Sequence, residues 1–224
     1  MKKLIICIAL LFVSSLHAQT IKFTIEGVVQ NPKNAKFAYL VSDATVAGKP
    51  DLFLMRPMEG NHFQLSATSN LDGKLLRNGF IFIDERGDIT LAEVKSKLKQ
   101  KVWFLGGSAN LKSIFLEDVK LEIENPYNLA SAKIISGGIY LQQTNDATKA
   151  LKERKFLNFV KQNADSPVAL MEVGNLVRYV NIPGFFKDFD FGSFAELYGA
   201  LSGRLRQTDE AKAIKKKIDE PLKK

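Results

Sequence analysis

The side chains whose types and spacing come closest to a catalytic pattern are carboxylates. Glu117 and Asp118 are adjacent, and Glu122 and Glu124 follow them in a segment of alternating apolar and polar residues. Two carboxyl groups about 5–9 Å apart can act as acid and base in the hydrolysis of a glycosidic bond. Acidic side chains along one face of a strand are more often simply hydrated. The sequence therefore favours a solvated strand face over a catalytic pair.

The sequence has very few cysteine and histidine residues that could perform thiol or imidazole chemistry. The only cysteine is Cys7, and the histidines are His17 and His62. We expect Cys7 and His17 to be removed with an export signal. His62 stands in a turn that enters a strand, where a surface role is a better interpretation than membership of a Ser-His-Asp triad. The remaining chain would have no disulfide, no CxxC pair and no Cys/His zinc site, and we predict no catalytic residue and no cofactor.

The acidic run Asp84-Glu85-Arg86-Gly87-Asp88 has several carboxylates of the kind that bind cations, but their spacing does not fit a calcium loop. A calcium loop of the EF-hand type places oxygens at alternate positions and ends in glutamate, and that spacing is absent. A hairpin turn, with a return strand from Ile89, is the better interpretation, and we predict no metal site. The glycine pairs Gly106-Gly107 and Gly137-Gly138 form neither a GxGxxG motif nor a P-loop, so no nucleotide site follows.

A lysine at every second position from Lys95 to Lys101 predicts a strand over Val94–Phe104 with one cationic face. Like charges side by side must stay hydrated, and lysines on an exposed edge hinder pairing with another strand. Binding of single-stranded nucleic acid would need aromatic side chains on the same face. None is present there, so we predict no nucleic-acid partner.

Five phenylalanines lie within ten residues of the C-terminal part: Phe185, Phe186, Phe189, Phe191 and Phe194. They follow a Pro-Gly break, and a short loop cannot easily bring all five rings into one core. One interpretation is a clasp that packs the helical segment onto the β-rich segment. The other is an exposed apolar surface that docks another protein. These five residues are the candidate docking site, and both interpretations stay open.

The N-terminus predicts export. Lys2 and Lys3 precede an apolar run from Leu4 to Val13, and Ala18 is a suitable cleavage residue. The run has ten residues, whereas spanning a bilayer takes about 20. We therefore expect a signal peptide over residues 1–18, cleaved after Ala18, and a mature chain in the periplasm or cell envelope without a membrane span. Cys7 lies too close to the start for a lipoprotein signal.

The remaining pattern predicts an α+β fold. An antiparallel β-sandwich-like domain is expected over residues 19–143, with Ile21–Val29 and Lys36–Val41 as paired strands. From Thr144 the apolar spacing becomes helical, which predicts a small α-helical domain over residues 144–224. Ser166 before Pro167, and Thr208, are the expected N-caps within it.

Six short segments, in order, resemble a known family. The chain is similar to the N-terminal half of envelope thiol-disulfide oxidoreductases of the Bacteroidetes, in which a β-rich domain of unknown function and a helical linker precede a thioredoxin-like domain. The similar segments are residues 23–27, 38–41, 60–65, 82–89, 132–138 and 165–169. The resemblance implies an accessory fold, an envelope location and a redox protein as the candidate partner. It transfers no catalytic residue, because the sequence stops before the thioredoxin-like domain.

These observations predict a non-enzymatic exported module that binds a protein or a small ligand. One alternative is an envelope hydrolase that depends on carboxylates alone, which would need two close carboxylates in a deep pocket. Another alternative is a truncated oxidoreductase remnant with no independent role, which a thioredoxin-like reading frame immediately downstream would favour.

Overall fold

The computed structural model describes residues 20–42, 52–71, 73–99, 108–179 and 192–220. The expected signal peptide, residues 1–18, lies outside this part of the chain. The described residues form two four-stranded sheets and seven α-helices. The α+β fold, with a sandwich-like β part followed by helices, is as the sequence predicts.

The first sheet places the N-terminal strand in its interior. Its strands are β1 (Thr20–Val29), β4 (His62–Asn70), β7 (Val119–Ile123) and β8 (Lys133–Gly137), in the order β4-β1-β7-β8. β1 is antiparallel to β4 and parallel to β7, and β7 is antiparallel to β8. Alternate residues of β1 and β7 are buried, which confirms the period-two pattern.

The second sheet is antiparallel throughout. Its strands are β2 (Phe37–Ser42), β3 (Phe53–Pro57), β5 (Asn78–Asp84) and β6 (Lys112–Phe115), in the order β3-β2-β5-β6. One face shares an apolar core with the first sheet, to which Phe23, Leu40 and Ile81 belong. On the other face, Tyr39 and Phe82 pack with Val94 of helix α1 (Leu91–Lys99). β2 is therefore covered on both sides.

The pairing of β2 and the structure of the lysine-rich segment both differ from the predictions. β2 is not the partner of β1, because β1 pairs with β4 and β7, and β2 lies in the other sheet. The lysine-rich segment is helix α1 up to Lys99 rather than a strand, and residues 100–104 lie outside the described part. Residues four apart share a face in both structures, so the apolar spacing did not decide between them. In the helix, Lys97 and Glu93 form an ion pair at 3.1 Å.

Six helices follow the sheets. They are α2 (Ile139–Lys152), α3 (Phe156–Gln162), α4 (Pro167–Val177), α5 (Phe194–Ala200), α6 (Gly203–Arg206) and α7 (Asp209–Asp219). They enclose a second apolar core, which includes Phe159, Leu170 and Leu197. The predicted caps are confirmed, since Ser166 Oγ accepts from Val168 N and Thr208 Oγ1 accepts from Ala211 N. The division into domains at residue 143 stays a proposal.

Helix α2 begins at Ile139, before the expected start at Thr144. Gly137 and Gly138 both have positive φ, of 66° and 64°, and a Cβ on Gly137 would lie 2.2 Å from the Asp118 carbonyl oxygen. The glycine pair thus makes the tight turn from β8 into α2. No helix in the described residues is long and apolar enough to cross a membrane.

Candidate functional site

The adjacent carboxylates Glu117 and Asp118 hold backbone groups. They lie in the bend between β6 and β7. Glu117 is 8% exposed, and its two carboxylate oxygens accept from Tyr140 N and Leu141 N at 3.0 Å each, at the start of α2. Burial raises the pKa of Glu117, and these N–H groups oppose that rise. Asp118 Oδ1 accepts from Thr24 N at 2.7 Å. Each carboxylate therefore joins separate segments of the chain.

The acidic side chains of β7 face away from the core. Glu122 accepts a hydrogen bond from Gln30 Nε2, and Glu124 is exposed at the end of the strand. Lys120, also on β7, forms an ion pair with Glu26 of β1, with Lys120 Nζ 3.8 Å from Glu26 Oε2. The predicted solvated face is confirmed for Lys120, Glu122 and Glu124, whereas Glu117 departs from it because it is buried.

The acidic run from Asp84 to Asp88 links β5 to α1, so the predicted hairpin with a return strand is wrong. The side chain of Arg86 organises this connection, with Nε 2.9 Å from Asp88 Oδ1 and Nη1 3.0 Å from Glu93 Oε1. The guanidinium of Arg86 lowers the pKa of Glu93. Within the described residues, no group of three or more His, Cys, Asp or Glu is arranged to hold a metal ion.

His62 is an exposed residue at the start of β4, as expected for a surface turn. Its backbone exchanges hydrogen bonds with Glu59, across a turn in which Gly60 has φ of 65°. His62 lines a shallow groove of about 310 Å³, which we call the sheet groove, together with Glu26, Arg56, Glu59, Gln64 and Lys120. Both signs of charge are present in it.

Four of the five clustered phenylalanines lie outside the described residues: Phe185, Phe186, Phe189 and Phe191. Phe194 is the first residue of α5 and is half-buried against the core of the helices. Ser193 and Glu196 form a capping box there. Phe194 therefore contributes to packing within the helices, and the clasp and docking interpretations of the cluster both stay predictions.

The helices form a second groove, of about 480 Å³, at the side that faces the β4–β5 connection. We call it the polar groove. Its lining comes from α2, from the turn between α3 and α4, and from α6, with one apolar residue from the β4–β5 connection. The lining residues are Leu75, Tyr140, Gln143, Gln162, Asn163, Ala164, Asp165, Ser166, Pro167 and Arg204.

A chain of hydrogen bonds fixes the amides of the polar groove. Ser166 Oγ donates to Gln143 Oε1, and Gln143 Nε2 donates to Asn163 Oδ1 at 3.2 Å. Asn163 Nδ2 in turn donates to the carbonyl oxygen of Phe159 at 2.9 Å. Because Ser166 also caps α4, the helix start and both amides are held in one arrangement.

The edge of the polar groove is an ion pair between Asp165, in the turn from α3 to α4, and Arg204 of α6. Arg204 Nε lies 3.0 Å from Asp165 Oδ1, and Arg204 Nη2 donates to the backbone oxygen of Asp165 at 2.8 Å. Ser202 Oγ also donates to Asp165 Oδ1. The hydrogen bonds from Arg204 and Ser202 lower the pKa of the Asp165 carboxyl. Asp165 is therefore ionised at neutral pH and its charge is balanced by Arg204.

Sequence reasoning missed this groove. Ser166 was recognised only as a helix cap, and its second contact, to Gln143, joins residues 23 positions apart. Arg204 and Asp165 are 39 positions apart. The one local signal was the polar run Gln162-Asn163-Ala164-Asp165-Ser166 between two helices.

Comparisons of the chain with models of protein families, with curated proteins and with solved structures found no match. The resemblance to the oxidoreductase accessory region thus stands on the six short segments, and it stays a proposal.

Proposed function

We propose that this protein is a non-enzymatic accessory module that binds a small polar ligand in the polar groove. The observation that carries the proposal is the fixed arrangement of Gln143 on α2, Asn163 at the C-cap of α3 and Ser166 at the N-cap of α4. Polar groups that are already oriented lose little entropy when a ligand binds. A concave surface with a few such groups is the usual form of a small-molecule site.

The use of the nearby carboxylates supports a binding role over a catalytic one. Glu117 and Asp118 accept hydrogen bonds from backbone N–H groups. The carboxylate of the polar groove, Asp165, has a lowered pKa and is paired with Arg204. An efficient acid or base has a pKa near the working pH, and the pKa of Asp165 is displaced away from neutrality.

The resemblance supports the cellular context of the proposal. An accessory region of an envelope oxidoreductase would act in the periplasm or cell envelope, beside a redox protein. The phenylalanine cluster is the candidate surface for such a protein. Replacing Phe185, Phe186 and Phe189 with serine separates the two interpretations of it. The clasp interpretation predicts loss of folding, and the docking interpretation predicts a folded variant that no longer captures a purified redox partner.

The binding proposal can be tested on the chain without residues 1–18. We expect the small-molecule fraction of an envelope extract to shift the amide resonances of the polar groove in a saturable way. Gln162→Trp places bulk at the groove and should abolish the shifts. Gln207→Trp is the matched control, because Gln207 is also an exposed glutamine at a helix end but lies outside the lining. Absence of shifts, or shifts that survive Gln162→Trp, would refute the proposal.

A further inference from the structure

We infer that the ligand of the polar groove is a neutral saccharide, an inference that rests on the proposed function and names its ligand class. The first reason is charge. The charged side chains of the lining are Asp165 and Arg204, and they neutralise each other at 3.0 Å. Although this pair is exposed and weak, it leaves the lining without an unpaired charge that would attract an ionic ligand.

The second reason is the hydrogen-bonding capacity that remains in the lining. A side-chain amide has two N–H donors and two acceptor lone pairs. Gln143 and Asn163 each use one donor and one acceptor within the network. Each amide therefore keeps one N–H donor and one acceptor lone pair for a ligand. Among the described residues, the Gln162 amide and the Tyr140 hydroxyl have no hydrogen-bond partner. All four groups can both donate and accept.

A sugar hydroxyl also donates one hydrogen bond and accepts others. Neighbouring hydroxyls on a ring therefore match a lining of amides and a phenol, where each side chain can meet both roles. An ionised acid or a phosphate mainly accepts hydrogen bonds, and a protonated amine only donates them. A ligand with many neutral hydroxyls fits the capacity of this lining best.

The start of helix α4 at the groove does not favour an anion. Helix N-termini bind anions through free N–H groups. Here Pro167 supplies no N–H, and the N–H of Val168 is already bound by Ser166 Oγ at 3.1 Å. An apolar ligand is also disfavoured, because most of the lining is polar and little apolar surface would be buried.

The test titrates the isotope-labelled chain with maltose, cellobiose and N,N′-diacetylchitobiose, and separately with glucuronate, glucosamine and inorganic phosphate. We expect at least one neutral disaccharide to shift the amides of the polar groove saturably, with an affinity in the high micromolar to millimolar range. The charged probes should leave these amides unchanged. Loss of one hydrogen bond to a ligand should weaken binding about fivefold or more.

Two pairs of variants sharpen the test. Tyr140→Phe and Gln162→Ala remove ligand contacts without touching the network that holds the helices, and each should weaken binding. Tyr127→Phe and Gln207→Ala are the matched controls on exposed residues elsewhere, and they should bind as the unaltered chain does. Thermal unfolding of all four variants checks that the fold is kept.

The outcomes separate this inference from the proposed function. If the envelope fraction shifts the polar groove but no neutral saccharide does, the saccharide inference fails and the binding proposal stands. If a charged probe binds there instead, the charge argument is wrong. Saccharide shifts that map to the sheet groove, or a saccharide affinity that is unchanged in both Tyr140→Phe and Gln162→Ala, also overturn it. If neither fraction nor saccharide binds, both proposals fail.

Discussion

Glu117 offers the sharpest test of how the helices are attached to the sheets. Its carboxylate accepts from Tyr140 N and Leu141 N, both at 3.0 Å, and so satisfies two N–H groups in the first turn of α2. It is also close to the positive end of the helix dipole. Glu117→Ala would leave both N–H groups without this acceptor, in a site where the glutamate is 8% exposed.

The expected loss follows from these two bonds. A helix N-cap contributes about 0.5–2 kcal/mol, and a buried N–H left without an acceptor costs about 1–3 kcal/mol. Removal of the carboxylate also relieves the cost of burying it. We therefore expect Glu117→Ala to lower the free energy of unfolding by about 2–3 kcal/mol. Glu117→Gln keeps one acceptor oxygen and also removes the cost of burying a charge, so it should lose less than Glu117→Ala.

Urea unfolding followed by far-UV circular dichroism measures this loss, and hydrogen exchange at Tyr140 and Leu141 locates it. Glu124→Ala is the matched control, because Glu124 is an exposed glutamate at the end of β7, where a substitution should change stability by less than about 0.5 kcal/mol. If Glu117→Ala is as stable as Glu124→Ala, or if exchange at Tyr140 and Leu141 is not accelerated, the capping role is refuted.

Glu117 also has a pH signature. Because burial raises its pKa above the usual 4.5, the folded chain holds this proton more tightly than the unfolded chain. The stability that protonation of Glu117 contributes is therefore full below pH 4.5 and is lost as the pH rises through the folded-state pKa. The stability of the unaltered chain relative to that of Glu117→Gln should therefore fall as the pH rises through this range. A relative stability that is constant, or that rises with pH, would contradict the burial of the carboxyl.

The further predictions concern two glycines, the α4 cap and Asp165. Gly27→Ala should destabilise the fold by about 1–3 kcal/mol, because the new Cβ would lie 2.2 Å from the Phe63 ring. Gly199→Ala, in open space on α5, should instead stabilise by about 0.5–1 kcal/mol, and urea unfolding compares the two. Ser166→Ala should cost about 1–2 kcal/mol through loss of the α4 cap, and a variant as stable as the parent would speak against it. Because the pKa of Asp165 is lowered, its contribution to stability should disappear as the pH falls below the usual value of 3.8, and Asp165→Asn should abolish that part of the pH dependence of the melting temperature.

Local pattern was enough to predict several elements of this fold. The alternation in β1 and β7 marks the buried face of a strand, and the Ser166-Pro167 pair marks the start of α4. These features are encoded by residues that are neighbours in the chain. The strand over Ile21–Val29 was therefore predicted, but its partners β4 and β7 were not, because pairing depends on residues far away in sequence.

Contacts between residues far apart in sequence also explain most of the errors. The start of α2 depends on the turn at Gly137-Gly138 and on the carboxylate of Glu117, which is 23 positions before Tyr140. The glycine pair indicates a turn but not that a helix follows it. The polar groove needs three helices to meet, so Gln143 and Arg204 show nothing unusual in their own neighbourhoods. For α1, the apolar spacing of Val94 and Leu98 fits a strand and a helix equally well. The lysines at every second position then favoured a strand, which is wrong.

The interior position of β1 has a consequence for the order in which the chain can fold. A chain that is made from its N-terminal end presents β1 first, but its parallel partner β7 arrives only after a further stretch of sequence, with Thr24 and Asp118 being 94 positions apart. Contacts of such long sequence separation slow folding. Until residue 123 is available, one edge of β1 stays open and its apolar face is only partly covered. In that interval β1 can pair with strands of other molecules. We therefore expect a holding chaperone to bind the growing chain before β7 is synthesised and to dissociate from it afterwards.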